Sequence, residues 1–281
     1  MSSATSKRVE VEALDEKRMS FLDHLMELRV RILRALKIYV AAFGICWWKA
    51  EWLLGFVTKP LWRAWQATGS KDPAELHGAL AEPFTVQMRM ALFAALFLAS
   101  PAIFWQLWAF IAPGLYKRER RMTLAFVFFA TVLFVTGGYF AYRIALPMAF
   151  QYFLPLHTHI PGTGMRIAPM QMVGQYFDFV FQTILIFGLC FELPLVLLFL
   201  GVVGMVDHVQ LWRFGRYFIL LAFTVGAIFS PPDVVSQTLV SVPLVLLYFL
   251  SIVLVYLFGT KVPAGGKPGP GARRKMKAAD A

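Results

Sequence analysis

Three carboxylates occupy settings that favour binding chemistry. Glu27 lies in the run Ser20-Phe21-Leu22-Asp23-His24-Leu25-Met26-Glu27-Leu28-Arg29. Glu119 stands among four cations in Lys117-Arg118-Glu119-Arg120-Arg121, and Glu192 sits in Phe191-Glu192-Leu193-Pro194 within a long apolar stretch. A carboxylate can accept two parallel N–H donors from a guanidinium, a geometry that hydroxyls and amides do not match. Each residue also has a plainer role. Glu27 can pair with Arg31 one helical turn later, and Glu119 can balance charge in its own loop. Glu192 is harder to explain away, because an ionisable side chain in the middle of a membrane helix costs about 2.5–3.5 kcal/mol on insertion scales. It must face a cavity, water or a partner. Catalytic constellations do not emerge: His24 is interfacial, His157 and His159 fall in one loop, and no phosphate-binding loop is present. Cys46 and Cys190 sit in apolar stretches and read as small hydrophobes, not as metal ligands or a disulfide. The expectation is a binding protein without catalytic residues, metal or cofactor.

The elements that must position these groups are helices. Ser20 with Asp23 forms a helix-start pattern. Phe21, Leu25, Leu28 and Ile32 then make an apolar stripe, with His24, Glu27, Arg31 and Arg34 on the opposite face. This is an amphipathic lead-in at a membrane surface. The chain is 59% hydrophobic and only 15% charged, against about 45–50% and about 25% in soluble domains. No formal charge falls between Met90 and Tyr116, and Asp233 alone falls between Tyr217 and Thr260. Crossing a hydrocarbon core of about 30 Å takes about 20 apolar residues. The fold class expected is therefore an all-α polytopic membrane protein, with six spans near 31–55, 85–111, 122–146, 171–204, 215–230 and 236–258. Pro113-Gly114 ends the second helix, Pro194 kinks the fourth, and Ser230-Pro231-Pro232-Asp233 turns the last hairpin. The fifth span has about 16 residues and reaches about 24 Å, short for a bilayer.

Charge placement gives an orientation. Twenty of the 27 Lys and Arg residues fall in the N-terminal region through Lys37, in 117–121, at Arg213 and Arg216, and in the tail from Lys261. That side is cytoplasmic by the excess of cations, and an even number of spans places both termini there. The opposite loops, 56–84 and 147–170, are nearly neutral. Tryptophans follow the same map, with Trp47, Trp48, Trp52, Trp62 and Trp65 at the outer interface and Trp105, Trp108 and Trp212 at the inner one. The net charge of +11 borders hydrophobic segments, which points to anionic lipid and away from nucleic acid. Residues 1–19 read as a flexible polar end without a signal-peptide pattern. Residues 259–281, with a Gly/Pro stretch and a basic end, read as a disordered tail that anchors on lipid. The membrane domain is then 20–258.

Taken together and in order, four of these segments resemble the TatC family of twin-arginine protein export. They are Phe21 to Arg29, Trp108 to Tyr116 with Glu119-Arg120-Arg121, Phe191-Glu192-Leu193-Pro194, and Ser230-Pro231-Pro232-Asp233 with Ser236-Gln237-Thr238. The resemblance implies a glove-shaped six-helix fold in the bacterial cytoplasmic membrane. It implies that Glu27 and Glu119 receive the twin-arginine signal of folded cargo, with Arg29 and Phe110 on the same surface. Pro60 matches a proline in the first outer loop, and Glu192 would face the concave side. Ser230 and Gln237 would contact single-span partners of the TatA/TatB type. Other copies of the chain and membrane lipids complete the implied partners, and the proton-motive force supplies the energy. Ala227 lacks the polar side chain that would extend the Ser230 cluster. The alternative reading is a proton-coupled secondary transporter using Glu192 as its relay. It requires a repeated half and further acids at mid-membrane, neither of which the sequence contains.

Overall fold

The computed structural model of the chain describes residues 2–67, 76–111, 120–154, 158–159, 166–167, 172–229 and 234–259. Side chains are described within these, except in 2–22, 120–123, the two strand pieces, Phe229 and Ser236. Among the described residues the elements run α1 (Ser2–Trp48), α2 (Ala50–Ala67), α3 (Glu82–Ile111), α4 (Arg120–Phe140), a π-helical segment (Ala141–Ala145) and α5 (Leu146–Phe153). A two-stranded pair, Thr158–His159 with Arg166–Ile167, precedes α6 (Val173–Phe191), α7 (Leu193–Val203), α8 (His208–Phe229) and α9 (Val234–Phe258). Among the described residues, five helical runs are long and apolar enough to cross a membrane: Glu82–Ile111, Leu124–Phe153, Val173–Val203, His208–Ile228 and Gln237–Phe258. The chain is a multi-pass helical membrane protein. The first expected span is absent from that set because Arg31, Arg34 and Lys37 run into α1, whose ladder then breaks at Lys49.

Several boundaries differ from the sequence reading for local reasons. The span expected near 215–230, with about 16 residues, is α8, which is 22 residues long because it starts at His208 and carries Arg213 and Arg216 in its first turns. Only its apolar part, from Tyr217, is short. The run expected near 122–146 continues through the π segment to Phe153. Trp108 is buried, stacked on Phe126 at 4.7 Å and edge-on to Phe199, so it belongs to the interior and not to an interfacial belt. Trp48, Trp52, Trp62 and Trp212 are exposed as a belt requires.

Prolines inside membrane helices orphan a carbonyl four residues back, and hydrocarbon offers it no water. Two of these helices solve the problem with hydroxyls. Pro101 frees the carbonyl of Phe97, which accepts a hydrogen bond from Ser100 Oγ at 2.7 Å. Pro60, fully buried in α2, frees the carbonyl of Phe56, which accepts from Tyr142 Oη at 2.9 Å. The next carbonyl, that of Val57, accepts from buried Tyr176 Oη at 2.9 Å. The break in α2 thus becomes its attachment to the π segment and to α6. Tyr142 also stacks on Phe56, with centroids 4.5 Å apart.

Elsewhere the helices pack through small residues, as membrane helices do. A Cβ at Gly137 of α4 would lie 2.9 Å from the Phe187 carbonyl carbon and from Phe191 Cβ on α6. Gly188 of α6 faces Phe134 of α4 as closely. The last hairpin closes through Gln237 Nε2 donating to the Phe223 carbonyl at 2.9 Å and Ser241 Oγ donating to that of Ala222 at 3.1 Å. Tyr248 Oη donates to the Leu211 carbonyl at 2.6 Å, and its ring stacks on Phe218 at 4.0 Å.

Candidate functional site

At the start of the described side chains, α1 lies against the C-terminal end of α3. The contact is made by His24, whose ring stacks on Phe110 at 4.3 Å with planes 13° apart. One turn further along α1, Glu27 accepts from Arg31 Nε at 2.9 Å and Arg31 Nη2 at 2.6 Å, both on Oε1. Its second oxygen, Oε2, stands 3.8 Å from His24 Nδ1, beyond hydrogen-bond reach. The Glu27 side chain is 39% exposed and that of Arg31 20%. The carboxylate is therefore the more open half of the pair, with Oε1 engaged by Arg31 and Oε2 on the side of His24. The Arg31 guanidinium holds the Glu27 carboxyl below the usual carboxylate value. Arg29 is exposed beside them.

Glu27, Phe110 and Arg29 thus share one end of the α1–α3 pair, Glu27 and Phe110 being joined through His24. The sequence pattern placed His24 on the same face as Glu27. A ring contact spanning from residue 24 to residue 110 has no trace in local spacing. Glu119, Ser230, Pro231, Pro232 and Asp233 lie outside the described residues.

Glu192 forms the joint between α6 and α7. Pro194 cannot donate, so the ladder tightens there: the Glu192 N–H bonds the Leu189 carbonyl at 3.1 Å, and α7 restarts at Leu193. The side chain is buried, and Oε1 has no hydrogen-bond partner among the described residues. A buried carboxyl oxygen without a donor is costly. The close approach of Gly137 and Gly188 one turn earlier fixes its position against α4. Gln237 donates one hydrogen bond within the hairpin through Nε2, and Pro60 anchors α2 through the two tyrosines. No cluster of metal-ligating side chains occurs among the described residues.

The opposite end of the bundle carries a clasp that the sequence reading did not single out. Glu82 Oε1 accepts from the Gly174 N–H at 2.7 Å at the start of α6, and Oε2 from the Ala79 N–H at 2.8 Å. Arg89 of α3 pairs with Asp178 of α6 at 2.7 Å in the next turns. Glu82 lies 92 residues from Gly174 and Arg89 lies 89 from Asp178, so only the folded arrangement joins each pair.

Residues 23–243 match the family described as the Sec-independent protein translocase protein (TatC). The chain belongs to the TatC family. It is 39% identical over 259 residues to the Sec-independent protein translocase protein TatC of Koribacter versatilis (strain Ellin345), covering 92% of each. It is 38% identical over 228 residues to that of Halothiobacillus neapolitanus, covering 81% of this chain and 60% of that longer protein. A crystal structure of the twin arginine translocase receptor TatC superposes with a TM-score of 0.72 at 33% identity, covering 84% of this chain and 99% of that one. Membership of TatC gives the chain a part in Sec-independent protein transport and not in catalysis, and the four segments of the resemblance are accounted for by that ancestry.

Proposed function

We propose that the chain is the receptor of twin-arginine export, capturing the signal peptides of folded proteins at the cytoplasmic face of the bacterial inner membrane. The observation that carries the reading is the half-engaged Glu27 carboxylate, set beside the His24–Phe110 stack at one end of the bundle. A partly exposed anion next to aromatic surface suits a guanidinium, which takes both hydrogen bonds and a stacking face. In this reading Glu119 supplies the second carboxylate for the second guanidinium, and Arg29 and Phe110 shape the same surface.

The reading includes a sixth crossing by the outer part of α1, continued by α2, with both termini cytoplasmic as the cation distribution requires. Residues 1–19 and 259–281 are cytoplasmic ends of a 20–258 membrane domain of glove shape. Glu192, whose Oε1 has no hydrogen-bond partner among the described residues, meets polar groups of the inserted signal peptide or of partner helices on the concave side. Ser230 and Gln237 mark the contact for TatA/TatB-type single-span subunits, with Pro231, Pro232 and Asp233 turning the hairpin. Further copies of the chain and membrane lipids complete the assembly, and the proton-motive force drives it. The secondary-transporter alternative has no support among the relatives, which are named as translocase components.

Cross-linking in membrane vesicles tests the capture step. A twin-arginine signal peptide is expected to cross-link near Glu27 and Glu119, and a twin-lysine version is not. Glu27→Ala and Glu119→Ala should each weaken capture without unfolding the protein. Normal binding by both variants would end the receptor reading.

A further inference from the structure

We infer that the chain carries a site for one anionic phospholipid, its phosphate held by Arg63 and Arg143 and one acyl chain seated in the cavity beside them. That cavity has a volume of about 430 Å³. Cys46 of α1, Leu53 of α2, Phe93 and Phe97 of α3, and Gly138 and Tyr139 of α4 are among its walls. It follows α4 from Val135 up to Tyr142 of the π segment, and α3 from Leu98 back to Met90. At 1.5 Å per residue those stretches make it about 10–12 Å long. Leu98, Val135 and Tyr139 are exposed, so the cavity opens on the side of the bundle that hydrocarbon covers.

The charged end is built on the Phe56–Tyr142 stack, and both of those rings also line the cavity. Phe56, Lys59 and Arg63 recur at three and four residues along α2 and share one face. Lys59 Nζ stands 5.8 Å from the Phe56 ring centre. Arg143 follows Tyr142 in the chain, and the charges of Arg63 and Arg143 both act on the Tyr142 hydroxyl. The two guanidiniums therefore gather around one point although 80 residues separate them. Both are exposed, and neither forms an ion pair among the described residues.

Depth selects the ligand. The apolar run of this crossing begins at Leu124, just after Arg120 and Arg121. Arg143 lies 19 residues further on, about 28 Å along a helix, against a hydrocarbon thickness of about 30 Å. It reaches the phosphate level of the leaflet away from Arg120. Cations are scarce at that face, where the loops 56–84 and 147–170 are nearly neutral, so Lys59, Arg63 and Arg143 are not part of a general basic collar. A phosphodiester brings one negative charge and oxygens that accept from guanidinium N–H groups. An anion at the hydrocarbon boundary with an apolar chain directly alongside belongs to one molecule, the lipid that already surrounds the protein. A zwitterionic lipid offers the same chain, but its own ammonium offsets the phosphate, so the headgroup decides which lipid is held.

The test uses the full chain in nanodiscs containing phosphatidylglycerol or phosphatidylcholine with the same diazirine-bearing acyl chain, and maps the photolabelled peptides by mass spectrometry. Phosphatidylglycerol is expected to label 90–98 and 135–142 about tenfold more than phosphatidylcholine does. Arg63→Gln with Arg143→Gln should bring it down to the phosphatidylcholine level. Arg213→Gln with Arg216→Gln, an equal loss of charge at the other membrane face, should leave the preference intact. Ala94→Phe, which puts a ring into the cavity wall, should remove labelling by both lipids. The exposed arginine pair keeps the test decisive if that core variant fails to fold. Equal labelling by the two lipids in the unaltered protein overturns the inference, as does a preference that survives loss of Arg63 and Arg143. Labelling of the same stretches by a photoreactive single-span peptide, with both lipids absent there, assigns the cavity to a helix and overturns it also.

Discussion

A single methyl group at Gly137 should loosen the joint between α4 and α6, and the size of the effect follows from what that methyl would meet. It would sit 2.9 Å from the Phe187 carbonyl carbon and 2.9 Å from Phe191 Cβ, where ordinary contact begins at 3.4 Å. Two of those neighbours are fixed to the α6 backbone, so no flexible side chain can yield. The helices must separate by roughly half an ångström or more, and overpacking of this kind costs about 1–3 kcal/mol. Alanine also has a helix propensity advantage of about 1 kcal/mol over glycine, which partly offsets the clash. Gly55→Ala isolates that advantage, because nothing lies within 4 Å of a Cβ there. The difference between the two variants then reports the clash alone. Thermal unfolding of the purified protein in detergent, followed by tryptophan fluorescence, is the assay. At roughly 2–4 °C per kcal/mol for chains of this size, Gly137→Ala should melt several degrees below Gly55→Ala. If the two melted together, the tight approach that fixes Glu192 against α4 would not exist, and the argument about its placement would fall with it.

Three further outcomes are expected. Tyr142→Phe should destabilise the protein when Pro60 is present and much less in Pro60→Ala, where a restored N–H satisfies the Phe56 carbonyl. A double-mutant cycle should give a coupling of about 0.6 kcal/mol, with about 1.7 as the ceiling for such bonds in membranes, and strict additivity would refute the pairing. Arg31 favours the ionised form of Glu27, so their pairing is present at neutral pH and is lost only as pH falls through a value below 4.5. A carbon-13 NMR titration should show that depressed midpoint and its rise in Arg31→Ala; a wild-type midpoint at or above 4.5 would contradict the pairing. Glu82→Ala should speed amide exchange at Gly174 and Ala79, read by hydrogen–deuterium exchange, while leaving amides at the His24–Phe110 end unchanged.

What the sequence made legible was whatever repeats locally or is forbidden by hydrocarbon. Charge-free stretches mark the spans because lipid excludes ions, and Pro194 announces the joint at Glu192 because it lacks an N–H. The stripe of His24, Glu27 and Arg31 could be read from helical spacing, and the Glu27–Arg31 pair weighed there as the plain alternative is indeed formed. Span lengths were less legible. His208 to Arg216 is polar enough to look like a loop, yet it forms the first turns of α8. The π segment hides inside an uninterrupted apolar run, where an inserted residue leaves no compositional mark. Contacts between distant elements left no signal at all. The ring of His24 finds Phe110, Glu82 finds Gly174, and Tyr142 finds the carbonyl orphaned by Pro60, each through tertiary packing that one-dimensional spacing does not encode.

The π segment has a consequence for how the run Leu124–Phe153 is indexed. The N–H of Leu146 bonds back to the carbonyl of Ala141, five residues earlier, so one residue is taken up without advancing the ordinary ladder. Because each residue of an α-helix turns by about 100°, everything beyond Ala145 is rotated as a unit relative to what precedes it. The α4 length of the rod can then serve α3 and α6, while Leu146 and Phe150, beyond the π segment, pack with Val57 and Leu61 of α2. Deleting one residue from this segment would unscrew α5 by about that angle and strand α2, with α4 left in place.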